Sequence, residues 1–142
     1  DGSFNPKELD AMINRLKSDK YDFVFASRYE KNCGSEDDTL ITLFGNFIFT
    51  NIGKYFFNLN ITDILYTYVL GDTKKTIEIN LERKDFSFCV ELPIKARMNK
   101  LKIGSISSIE RKRIAGLKKV NAFKDGFLIL NYMIKLFFSK KS

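Results

Sequence analysis

Between Arg111 and Lys119 the chain gathers five cations around one glycine, with Arg111, Lys112 and Arg113 before Gly116 and Lys118 and Lys119 after it. A glycine lets the backbone approach a bulky anion closely, and the flanking cations supply charge for phosphate oxygens. Arg113, Gly116 and Lys119 are therefore candidate phosphate-binding residues, although a solvated basic loop has the same composition. Arg28 ends a short apolar run, which puts its head at the sheet edge where α/β proteins hold ligands, and its guanidinium suits bidentate pairing with a phosphate. Asp63 closes the turn Asn60-Ile61-Thr62-Asp63 and Glu91 opens a helix, so either is a candidate general base. Acids at turns and helix starts also serve local structure. Asp1, directly before Gly2-Ser3, is a hard oxygen ligand suited to Mg²⁺ or Mn²⁺.

Something must position these residues, and composition limits what it is. At 142 residues, with 44% hydrophobic and 29% charged side chains, the chain is sized for one folded domain and too apolar for wholesale disorder. There is no histidine, and Cys33 and Cys89 are too few for a disulfide scaffold or a zinc cluster, which fits a reducing, cytoplasmic setting. Residues 1–73 hold 7 Lys/Arg against 11 Asp/Glu, whereas residues 74–142 hold 17 against 6. A positive half attracts nucleic acid, anionic lipid or a phosphorylated small molecule. No aromatic residue interrupts Arg111 to Lys119, which argues against base stacking and so against nucleic acid. No apolar run reaches the ~20 residues of a membrane span. The start at Asp1 has no signal-peptide pattern and reads as a cut.

The elements follow from spacing. Asn5-Pro6-Lys7-Glu8 is a helix start, and Leu9, Met12, Ile13 and Leu16 then form an apolar stripe that ends near Ser18. Tyr21 to Ser27 is a buried strand that delivers Arg28. Residues 29–39, with Gly34 and the acids Glu36-Asp37-Asp38, are expected to form a mobile surface loop. Leu40 to Phe57 reads as a helix apolar nearly all round, with Thr39 able to cap it; such a helix is buried in protein or rests on a membrane surface. Ile64 to Leu70 suits a strand, and residues 73–82 are ambiguous between helix and strand. Glu91, Ile94 and Met98 lie on a helix with Pro93 expected in its first turn. Leu101 to Ser108 suits a strand, and Phe127 to Phe138 is a strongly apolar terminal helix with lysines at its end.

Taken in order, five short segments resemble family 2 glycosyltransferases of GT-A fold, in the branch of dolichyl-phosphate mannose synthases and polyprenyl-phosphate glycosyltransferases. Asp1-Gly2-Ser3 with Asn5-Pro6 is similar to the tail of that family's D-x-D-G-S segment, Ala26-Ser27-Arg28-Tyr29 to its G-S-R-Y, and Thr62-Asp63 to its T-D. Glu91-Leu92 resembles its E-L, and Arg113 to Val120 with Asp125-Gly126 resembles its R-x-x-G-x-S-K followed by D-G. Ala26 stands where the family has glycine, Lys118 where it has serine, and Ile64 to Tyr68 where it has P-x-S-G-F/Y. The resemblance implies an α/β fold: the C-terminal part of a GT-A domain, Rossmann-like with a mixed sheet, whose N-terminal nucleotide-binding half is absent. Residues 1–126 would belong to that domain and 127–142 to an apolar helix with a basic end at a membrane surface.

It further implies inverting transfer of a sugar from a UDP- or GDP-sugar to a lipid-phosphate or cell-surface glycan acceptor, by an enzyme peripheral to the membrane and inactive as this piece alone. Asp1 would hold Mg²⁺ or Mn²⁺, Asp63 or Glu91 would act as base or acceptor contact, and Arg28, Arg113, Gly116 and Lys119 would grip phosphates. The alternative from the composition is a non-catalytic basic module that binds nucleic acid or an anionic membrane.

Overall fold

A computed structural model describes residues 2–116 and 120–139. Asp1 and Lys119, two of the candidate site residues, lie outside the described residues, as do Leu117 and Lys118. The fold is mixed α/β, with five helices and a small mixed sheet.

The central strand β1 (Phe23–Ser27) is buried at every position. It pairs antiparallel with β3 (Val69–Gly71) and parallel with β4 (Ile103–Ser107). Because side chains alternate across a strand, β1 feeds two cores. Phe23 and Phe25 enter the larger one, with Phe49 and Phe57 of α2 (Leu40–Phe57), Val90 and Ile94 of α4 (Phe88–Met98), and Ile129 and Met133 of α5 (Ala122–Ser139). Val24 and Ala26 enter the smaller, with Met12 of α1 (Glu8–Ser18) and Tyr66. Each of the larger side chains removed from water in this way contributes about 2 kcal/mol. The sheet is thus covered by α1 on one face and by α2, α4 and α5 on the other. A second pairing, parallel, joins β2 (Gly34–Ser35) to β5 (Ile109–Glu110).

Helix α2 has the predicted bounds. Thr39 caps it in a reciprocal capping box with Thr42, and Asn58 ends it in the left-handed conformation at φ 56°. The stretch 73–82 resolves in favour of α3 (Thr73–Glu78), capped by Asp72. Four expectations change. The strand predicted over Ile64 to Leu70 shrinks to Val69–Gly71, because the Ile64 and Leu65 amides donate to Thr50 Oγ1 and Asn46 Oδ1 of α2 rather than to a neighbouring strand. Pro93 lies inside α4 and not in its first turn, since the helix begins at Phe88; one ladder hydrogen bond is missing there. Helix α5 begins at Ala122, five residues earlier than Phe127. The loop 29–39 is not a free loop: it contributes β2, and its acids are engaged by Lys112, Arg113 and Arg28.

Candidate functional site

Strand β1 hands the chain directly to Arg28, and the burial of that strand forces the guanidinium to find partners near the sheet edge. It finds three carboxylates. Asp63 takes both sides of the head, accepting from Nε at 2.7 Å and from Nη2 at 2.9 Å, and its Oδ2 also accepts the Arg28 backbone amide at 3.0 Å. Nη1 donates to Glu110 of β5 at 2.8 Å and stands 3.3 Å from Asp38. The ring of Tyr66 lies 4.5 Å and that of Tyr29 5.3 Å from the guanidinium carbon. Ser35 donates to Glu110 and Tyr29 to Asp38, so the cluster is held from β2 and from the loop as well.

The electrostatics follow from burial. Desolvation works against the Arg28 charge, but hydrogen bonding and attraction from Asp63, then Asp38 and Glu110, outweigh it and raise its pKa. Burial likewise pushes the Asp63 carboxyl above its ordinary value while Arg28 pulls the other way. Tyr66 is pushed up to about 12, chiefly by burial.

Beside this cluster opens a cleft of about 230 Å³, set between the first halves of α2 and α5. Its polar end carries Ser3, Arg28, Asp37, Asp38, Glu110 and Arg113; its apolar wall is formed by Phe49, Leu65, Phe86 and Ile129, among others. Arg113 Nε donates to Asp37 at 3.0 Å. Asp125 of α5 also lines the cleft, where its carboxylate accepts the Asn121 amide at 2.7 Å. Cys89 reaches the wall, but burial raises its thiol to about 12, which leaves it protonated and a poor nucleophile.

The sequence-predicted residues divide accordingly. Arg28 and Arg113, 85 positions apart in the chain, meet on one cleft, and Asp63 lies behind Arg28 without lining the cleft. Glu91 is elsewhere. Fully buried on α4, it accepts from the Glu82 and Arg83 amides at 2.9 Å each, from the Tyr132 hydroxyl at 2.6 Å and from Lys95 at 2.9 Å. Burial opposes its ionisation, yet these donors prevail and hold its carboxyl below the ordinary value. Gly116 has φ +91°, a conformation other residues rarely adopt, and the space beside it is open; it does not line the cleft.

Sequence reasoning missed Asp38, Glu110 and Tyr66. The run Glu36-Asp37-Asp38 carried a signal, because three adjacent acids in a chain with a strongly basic segment invite pairing, but nothing local indicates that the partners are Arg28 and Arg113. Among the described residues no group of three His, Cys, Asp or Glu side chains is arranged around a common point that a metal ion could occupy. No protein-family model matches the chain, and no curated protein or solved structure does either.

Proposed function

We propose that the cleft is the acceptor side of a glycosyl-transfer site, in which a nucleotide-sugar donor meets a phosphate-bearing or glycan acceptor and the sugar is passed with inversion. The observation that carries this reading is the meeting of Arg28 and Arg113, from the G-S-R-Y-like and R-x-x-G-like segments, on one cleft with an apolar wall. Arginine binds phosphate in a planar, bidentate way, and the apolar wall suits the organic part of an amphipathic ligand. A divalent cation, Mg²⁺ or Mn²⁺, on the donor diphosphate with Asp1 as a ligand belongs to the proposal; the roles assigned to the described residues do not use it.

The engagement of both candidate bases favours one acceptor class. A hydroxyl acceptor needs a base with an accessible lone pair, whereas Asp63 and Glu91 are buried and already accept three and four contacts. A phosphate monoester reaches neutral pH largely ionised, since its second pKa is about 6. It attacks without a base. A lipid phosphate is therefore the preferred acceptor, Asp63 and Glu91 become positioning residues, Arg113 orients the attacking oxygen, and Arg28, held by Asp63, Asp38 and Glu110, fixes the polar end of the cleft from behind.

The test is release of UDP or GDP from nucleotide sugars, with Mg²⁺ or Mn²⁺ supplied and with a polyprenyl phosphate as acceptor, by the full-length protein. Arg113→Ala should lower kcat/KM by about 10- to 100-fold, the worth of one charge-assisted contact. No release from any nucleotide sugar sinks the proposal, and activity unchanged in Arg113→Ala removes Arg113 from the site.

A further inference from the structure

Helices α2 and α5 bury one side and leave the other uncovered. On α2 the buried stripe is Asn46, Phe49, Gly53 and Phe57, while Phe44 and Phe47 are 64% and 65% exposed. On α5 the buried stripe is Asp125, Ile129, Tyr132, Met133 and Leu136, while Phe123 and Phe127 are 83% and 67% exposed. The two helices run side by side in the same direction, since Gly126 in the first third of α5 faces Phe49 at the middle of α2 and Phe137 packs edge-on to Phe56 near both ends. Their uncovered sides thus form one plate, and toward its far end a wholly apolar groove of about 320 Å³ opens between them. No helix of the described residues is long and apolar enough to cross a membrane.

The charges decide what covers this plate. The exposed charged residues on the two helices are Lys54, Lys124 and Lys135; α2 contains no acid, and the single acid of α5, Asp125, is buried. The acids just before α2 are turned onto Arg28, Thr42 and Arg113. A second copy docked face to face would set lysines against lysines with no carboxylate to match them. An anionic bilayer matches both parts, accepting phenylalanines at the acyl boundary and lysines among its headgroups.

We propose that the α2–α5 plate docks this protein onto an anionic phospholipid surface, lying in the interface with Phe44, Phe47, Phe123 and Phe127 inserted. This rests on the exposed helix faces and not on the glycosyl-transfer reading, so either can fail alone.

Flotation with phosphatidylcholine vesicles containing phosphatidylglycerol, against phosphatidylcholine alone, is the direct measurement. The chain should float with the anionic vesicles, and Lys124→Glu with Lys135→Glu should weaken binding about ten-fold or more, as expected for two juxtamembrane cations. Phe44→Ser with Phe47→Ser and Phe127→Ser should abolish it; these side chains are exposed, so unchanged circular dichroism verifies the fold. The chain has no tryptophan, so Phe47→Trp gives a clean probe. Its emission should shift to the blue on adding anionic vesicles, and that of Ile77→Trp, on exposed α3, should not. Absence of flotation, equal binding to both vesicle types, or a dimer by light scattering in which Phe47→Trp is already blue-shifted without vesicles overturns the proposal.

Discussion

Arg28 is the residue on which most of the site depends, and it is held by carboxylates from three separated parts of the chain. Removing one partner of a buried ion pair leaves charge uncompensated and costs about 3 to 5 kcal/mol. Asp63→Ala should fall at the lower end, about 3 kcal/mol, because Asp38 and Glu110 remain beside the guanidinium. Urea denaturation measures this. If Asp63 instead served chemistry alone, the variant would lose activity with its denaturation midpoint unmoved. The prominence of Arg28 was legible in sequence, since a buried strand must end somewhere and the next charged residue emerges there. Its partners were not, because Glu110 lies 82 positions away and Asp38 sits in a run that reads as solvated loop.

At the scale of elements, what could be read was whatever depends on near neighbours. Helix α2 was legible because Thr39 and its long apolar run are local signals. The strand predicted at Ile64 failed for the opposite reason: β-type residues there give their amides to side chains of α2, a tertiary competition that composition does not reveal. Strand β3 is short, and its Gly71 lies against the ring of Phe23, where a Cβ has no room. Phe23 is itself 1% exposed and cannot swing aside. Gly71→Ala should therefore cost about 1 to 3 kcal/mol through overpacking, read as a lowered denaturation midpoint; an unchanged midpoint would mean that β3 moves away from β1 without penalty.

Across the whole molecule, the acidic first half and basic second half are not separate lobes but are stitched together. Arg28 meets Glu110, Asp37 meets Arg113, and Glu8 receives the Ser108 hydroxyl and the Ile109 amide. The candidate site lies along this seam, where Arg28 and Arg113 are both held by acids from the first half of the chain or from β5. A second junction, at Glu91, sets the acid response. Its carboxyl is held below its ordinary value of 4.5, so the stability it contributes is complete above that pH and is lost as pH falls through the lower folded value. Wild-type stability should therefore decline below pH 4.5 more steeply than that of Glu91→Gln, as followed by urea midpoints on either side. Equal slopes would assign the acid response to other carboxylates.

The central strand has a partner that arrives late. Asp22, just before β1, accepts the Lys102 amide across 80 residues, and β1 pairs with β4 at the same remove. At a synthesis rate of about 5 to 20 residues per second, roughly 4 to 16 s separate the emergence of β1 from that of the strand that closes its edge. Through that interval Phe23 to Ser27 is an apolar strand with an open edge on the ribosome-bound chain. Variants that slow elongation between residues 28 and 102 should therefore aggregate during synthesis even where the finished fold is unharmed.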